Sequence, residues 1–296
     1  MSGAGPMSAP TLANPPATRA APRRFVPSMR VAGWIGLGIV VFWMLMALVG
    51  PAIAPHGIGR IVSDTVFAPP SIAFLLGTDY LGRDMLSRVL YGARYTVGVA
   101  LAATLLASAT GTLLGIIAAV AGHWVDAIMS RALDTLVSIP SKMFALVMVA
   151  AFGSAIPMLI VTAWIIYTPG AYRIARSLAV NVNAMDYVQV ARARGERIGY
   201  ITRAEILPNI TGPLCADFGL RFVFVVLLLS GLSFLGLGVQ PPQADWGSLV
   251  RENIVGLDSG APAVIMPALA IATLTIGVNL VIDNMRGRRA LAMDDP

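Results

Sequence analysis

Residues 186–209 read DYVQVARARGERIGYITRAEILPN, a polar stretch set between long, almost uninterrupted apolar runs. Arg192, Arg194, Glu196, Arg197, Arg203 and Glu205 crowd into the wider segment from Asn181 to Asn209. A charge at the centre of a bilayer costs at least about 2.5 kcal/mol, so this segment belongs on one face of a membrane and the apolar runs belong inside it. Met185 to Arg194 carries Tyr187, Val188 and Ala191 at helical spacing, and Gly195 then permits a sharp change of direction. Ile198, Ile201, Ile206 and Leu207 form a second apolar stripe, which Pro208 is expected to end. Two short helices joined at a glycine, with Ala191 and Ala193 beside the bend and arginines around it, suit docking into a groove on another protein better than catalysis.

The composition agrees with a membrane chain. Its 296 residues are 57% hydrophobic and 12% charged, with mean hydropathy +0.77, against about 25% charge in ordinary soluble domains. A helix needs roughly 20 apolar residues to cross the hydrocarbon core. The stretches that qualify are Val31–Ile53, Tyr95–Ala121, Ala127–Phe152, Ile156–Ala175, Leu214–Gly238 and Pro262–Ile282. The sequence therefore predicts an all-α polytopic membrane protein of about six transmembrane helices.

Arg19, Arg23, Arg24 and Arg30 precede the first span, Arg173 and Arg176 join the hairpin arginines after the fourth, and Arg286, Arg288 and Arg289 follow the last. With six spans all three groups share one side, so the net charge of +6 marks membrane sides rather than a nucleic-acid surface. The positive-inside rule assigns that side, both termini and residues 181–209 to the cytoplasm. Arg60, Arg83, Arg88 and Arg94 fall on the other side, where Asp64, Asp79 and Asp84 offset much of their charge.

Met1 to Pro22 is rich in Ala, Pro, Gly and Ser with no acid or aromatic, and residues 1–29 are read as a disordered cytoplasmic tail. Residues 30–93 hold the first span and an outer-face amphipathic segment, 94–283 a five-helix core carrying the 181–209 segment, and 284–296 a cytoplasmic C-terminal tail. Ala52-Ile53-Ala54 follows the first apolar run, but that run is longer and begins later than a cleaved signal peptide's.

Thr78 or Asp79 is expected to cap an outer interfacial helix over 79–92, with Leu81, Met85, Leu86, Val89 and Leu90 on one face. Arg83, Asp84 and Arg88 share the other, Asp84 pairing with Arg88 at i, i+4. Such a helix either braces the second span or acts as a gate or a contact for an external protein. Asp217 and Arg221, one turn apart in the fifth span, are either a structural ion pair or a means of transmitting motion from the polar segment. Gly231, Gly236 and Gly238 are expected to let a partner subunit pack closely. Lys142, the sole lysine, follows Pro140 inside the third span; it either borders an aqueous pathway or snorkels or pairs with Asp134. Cys215 stands alone and reads as a small buried hydrophobe.

Several chemistries are excluded. A phosphate-cradling GxxxxGK[ST] loop needs a lysine after its glycine, and the one lysine sits in Ser138-Ile139-Pro140-Ser141-Lys142. His56 and His123 cannot form HExxH, Cys215 cannot build a zinc cluster, and Ser233 lacks the following glycine of a nucleophile elbow.

Gln189-Val190-Ala191, Gly195 and Leu207-Pro208 fall at the spacing of the EAA loop of bacterial ABC importer permeases, which Asp186 to Asn209 resembles without a gap. Gln189 stands where that family usually has Glu, and Glu205 where the peptide and nickel branch usually has His. Gly77-Thr78-Asp79-Tyr80-Leu81-Gly82-Arg83-Asp84 is similar to the C-type permease of dipeptide, oligopeptide and nickel importers, as is Gly231-Leu232-Ser233-Phe234-Leu235-Gly236-Leu237-Gly238 running into Gln240-Pro241-Pro242 and Trp246-Gly247. The resemblance covers nearly everything after Val31. It implies a type I ABC importer permease (MetI-like) fold with no catalysis in this chain, ATP and Mg being held on partner subunits. The implied partners are a homologous second permease, two cytoplasmic ATP-binding subunits and an extracytoplasmic solute-binding protein, in the lipid of a bacterial inner membrane, with no nucleic acid. Asp186, Gln189, Val190, Ala191, Ala193, Gly195, Glu205, Leu207 and Pro208 are then the expected ATPase contact, and Lys142, Asp217 and Arg221 the pathway or gating candidates. The solute stays open among peptide, nickel chelate, glutathione, opine and other small polar solutes. A secondary transporter is the first rival, although such proteins carry charges deep in several spans; a membrane scaffold is the second, although it needs no bent docking unit.

Overall fold

The computed structural model describes residues 31–259 and 262–291. The tail at 1–29 with its arginines, Arg30, the residues after 291 and the side chains of Arg286, Arg288 and Arg289 lie outside the described residues. Within them every regular element is helical: α1 Val31–Ile53, α2 Met85–Ala121, α3 His123–Val137, α4 Ser141–Phe152, α5 Ile156–Asn183, α6 Asp186–Ala193, α7 Ile198–Tyr200, α8 Leu207–Phe234, α9 Trp246–Asn253 and α10 Pro262–Leu291. A π-helical turn over Ile201–Ile206 joins α7 to α8, so one apolar helix runs from Ile198 to Phe234.

Five helices are long and apolar enough to cross a membrane, and the bent pair α3 and α4 makes a sixth when taken as one broken span. The pair turns by 80° where Pro140 follows the end of α3, since a proline ring cannot continue the helix before it. Three boundaries differ from the sequence reading. The amphipathic stretch is the first part of α2 itself, because its charged face is covered by a loop and α9 rather than left at an interface. The fourth span continues to Asn183. Pro208 stands where the π-helical turn passes into α8 instead of closing a helix, so its missing N–H falls where the π-helical register gives way to the α-helical one.

The helices α2 and α5 run in the same direction and pack closely. A Cβ at Gly111 would stand 2.4 Å from that of Ala171, and one at Gly115 would stand 2.7 Å from the backbone nitrogen of Arg176, so only glycine permits this approach. The edge helix α1 meets α10 in the same way, Gly36 against the Gly277 carbonyl. The main core joins Ala100 and Ala103 of α2, Leu159 and Ala163 of α5, Val225 and Val226 of α8 and Leu274 of α10. Gly236 ends α8 at φ +85 and Gly238 lies against Ser233, so these two serve a turn in this chain, while Gly231 has open space around it. Cys215 is exposed rather than buried, because it sits on the outer side of α8.

Gly33 lies against Asn284 and Gly219 against Ile282, and Ile116 shares a cluster with α6. The start of α1, the last turns of α2, α5 and α10, and residues 186–209 thus gather at one end of the bundle. The connection between α1 and α2, together with α9, occupies the opposite end.

Candidate functional site: a bent hairpin at one end of the bundle

The hairpin is fixed by its backbone first. Gly195 takes φ +81; its N–H donates to the Arg192 carbonyl at 2.9 Å and that of Glu196 to the Ala191 carbonyl at 3.2 Å, the paired bonds of a Schellman turn. A small apolar hub, separate from the main core, then seats the turn. Val188 and Ala191 of α6 meet Ile201 and Ile206 of the π turn, with Ile116 of α2, Ala179 of α5 and Ile210 of α8.

Asn183, which the sequence reading passed over, fastens the hairpin to the bundle. Its Nδ2 donates to the Ala119 carbonyl at 3.2 Å, its Oδ1 accepts from Arg192 at 2.6 Å, and its backbone oxygen accepts from Gln189 Nε2 at 2.9 Å. The last bond needs a donor, so the amide of Gln189 does what a carboxylate cannot. The signal was an asparagine at a helix end, three residues before the polar segment.

Among the expected contact residues, Val190, Ala191 and Glu205 come together with Tyr187, Arg194, Glu196 and Tyr200 around a concavity of about 290 Å³ between α6 and α7. Tyr187, Val190 and Tyr200 remain 44–50% exposed. Asp186, Gln189 and Ala193 are exposed on α6 without lining it, and Leu207 and Pro208 lie beyond it at the start of α8.

Deeper in the bundle, Arg221 donates to Asp217 Oδ2 through Nε at 3.2 Å and Nη2 at 2.6 Å, and through Nη1 to the Tyr167 carbonyl at 2.7 Å. Gly170 makes room for the guanidinium, since a Cβ there would stand 2.8 Å from Nη1. Lys142 is exposed on the first turn of α4, beside the 80° bend rather than deep in a continuous span. Its expected partner Asp134 bonds Arg173 at 2.6 Å instead.

A model of the binding-protein-dependent transport system inner membrane component matches residues 111–290. This chain belongs to that family. The permease is 30% identical over 252 residues to the dipeptide transport system permease protein of Alkalihalophilus pseudofirmus, covering 85% of this chain and 83% of that one. It is 31% identical over 259 residues to the di/tripeptide transport system permease protein of Pseudomonas aeruginosa, covering 84% and 86%. A crystal structure of an amino acid ABC transporter with histidines overlays 68% of this chain and 93% of its own at a TM-score of 0.46 and 16% identity, too distant to add to the assignment. The protein is thus a non-catalytic, multi-pass permease subunit of an ABC importer with the MetI-like fold.

The opposite end of the permease holds charge in another way. Asp79, fully buried, accepts from Arg83 Nε and Arg88 Nη1, each at 2.7 Å, and Glu252 of α9 accepts from Arg83 Nη2 at 3.2 Å and Arg88 Nη1 at 2.9 Å. The expected Asp84–Arg88 pair is replaced: Asp84 caps α2 by accepting from the Ser87 N–H at 3.0 Å. Gly77 and Gly82 lock the loop at φ +73, where a Cβ would stand 2.3 Å from the Ala68 carbonyl and 2.0 Å from that of Ser63. Trp246, wholly buried, donates to the Val89 carbonyl at 3.0 Å and packs edge-on against Trp43. Asp245 caps α9 through the Ser248 N–H at 2.7 Å and accepts from the Ser233 hydroxyl; burial pushes its carboxyl above the usual carboxylate range against the pull of these bonds.

Proposed function

We propose that this permease and a homologous second permease form the inward pathway for peptides or a similar small polar solute, driven through the 186–208 hairpin by two ATP-binding subunits. An extracytoplasmic solute-binding protein delivers the solute, and ATP with Mg is bound on the partner chains. The peptide class follows the names of the relatives. The observation that carries the reading is the hairpin: exposed Tyr187, Val190 and Tyr200 beside arginines, on a bend set by Gly195 and seated on α2, α5 and α8. Such a surface is too polar for lipid and too ordered for a loose loop. The arginine-rich end faces the cytoplasm of a bacterium with both termini, and Asp186, Gln189, Val190, Ala191, Ala193, Gly195, Glu205, Leu207 and Pro208 make up the ATPase contact.

Closure of the ATP-binding subunits pushes on the hairpin, and packed helices turn that push into alternating access as rigid bodies. Asp217 and Arg221 transmit or gate within the bundle, and Lys142 borders the pathway, a charge among spans being tolerated where it meets water. The complex is expected to co-purify with an ATPase pair and to take up solute into vesicles on ATP. In a Cys215→Ala background, Tyr200→Cys should resist an impermeant thiol reagent added outside intact cells; labelling there would overturn the orientation. Unchanged uptake by Lys142→Met would remove Lys142 from the pathway.

A further inference from the structure

The concavity between α6 and α7 has chemistry that docking alone leaves unused. Val190 and the buried Ala191 supply the apolar part of its lining, Tyr187 and Tyr200 line it from the two helices, and Glu196 and Glu205 are its acidic lining residues. Among the described residues neither carboxylate forms an ion pair within this chain, nor does Arg194 at the same rim. The volume of about 290 Å³ falls just under the roughly 300–1,000 Å³ of small-molecule sites. It suits one long side chain with an apolar stem. Two tyrosine rings in the lining favour a cation, and two carboxylates against one guanidinium make the lining net negative. A planar guanidinium satisfies both, stacking on the phenols while donating in pairs to a carboxylate.

We propose that this concavity is a socket for a single arginine on the ATP-binding subunit, an inference that rests on the docking reading above. Around it the hairpin is basic, with Arg192, Arg197 and Arg203 exposed, so the socket is an acidic point in a positive field. Opposite signs side by side fix the register of a partner and reject mismatched ones. Glu205 contributes to this acidity where the peptide and nickel branch usually has His. The matched ATPase therefore carries a base at the facing position.

The test uses the whole permease pair in lipid nanodiscs with its ATPase subunits, measuring their affinity against salt concentration. The double variant Glu196→Gln/Glu205→Gln should bind at least about tenfold more weakly, in line with the loss of charge-assisted bonds at an interface, and with a shallower salt dependence. Tyr200→Phe keeps the ring face and should bind as the native chain does; Tyr200→Leu should not. Glu205→Lys should release the ATPase, and reversing one arginine on the ATPase should restore it. Native-like binding by Glu205→Lys would overturn the socket. If the native permease holds no ATPase pair, the docking reading falls with it; if it does and the amide variants bind equally well, the socket alone falls.

Discussion

The two ends of this permease spend similar residues on opposite ends of the same physics. At the loop end Arg83 and Arg88 are buried and matched by Asp79 and Glu252, and the backbone is pinned by glycines with no room for a side chain. At the hairpin end Arg194, Arg197 and Arg203 are exposed, and Gly195 turns in open space. A buried ion left without its partner is strongly destabilising, whereas an exposed one contributes almost nothing to folding. The first end is therefore built for stability, and the second leaves its charges in the open, as the proposed docking would require.

The contrast is sharpest in what each end tolerates. Asp79→Ala leaves two buried guanidinium groups to share Glu252 alone and should cost about 3 kcal/mol, the lower end for breaking a buried pair, read as a marked drop of the thermal midpoint in detergent. Uptake in a variant with an unchanged midpoint would break the comparison. Gly195→Val forces a β-branched residue to positive φ at about 1–2 kcal/mol; the chain should stay folded while the ratio of solute imported to ATP hydrolysed falls severalfold. Asn183→Ala removes side-chain bonds worth about 1 kcal/mol each, and should lower the same ratio with little change in melting. Asn183→Gln, which restores a donor and an acceptor on a longer stem, should recover part of it.

The smallest effect is a slope with pH. Asp245 is protonated more readily in the native state than in the unfolded one, so its contribution is whole below the ordinary carboxyl range and fades as pH rises through the raised native value. Asp245→Asn should flatten the melting midpoint over that interval. An unchanged slope would mean that the Ser233, Val239 and Ser248 donors hold the carboxylate charged.

Much of this was legible in the sequence because lipid imposes simple rules. The apolar runs that become membrane helices follow from hydropathy, and α6 differs from its expected limits by a single residue at each end. The buried ion cluster was hidden for a different reason. Spacing nominated Asp84 for Arg88, but burial handed Arg88 to Asp79 and to Glu252, the latter 164 residues away, which no local pattern reveals. Pro208 was misread because a proline can also stand where one helical register passes into another, and the π turn before it has no sequence mark. Within the hairpin the bend was visible in Gly195, while the concavity was not, since it depends on how α7 folds back over α6.

The helix α2 has 37 residues and no proline, unlike α1, α5, α8 and α10. At a rise of about 1.5 Å per residue it is a strut of roughly 55 Å, nearly twice the hydrocarbon thickness, with its first turn under the ion cluster and its last beside Asn183. A tilt of about 5° at one tip of a rod that long shifts the other by about 5 Å. On the coupling proposed above, a stroke delivered on one side of the membrane would reach the other through a rod with no proline joint to absorb the motion.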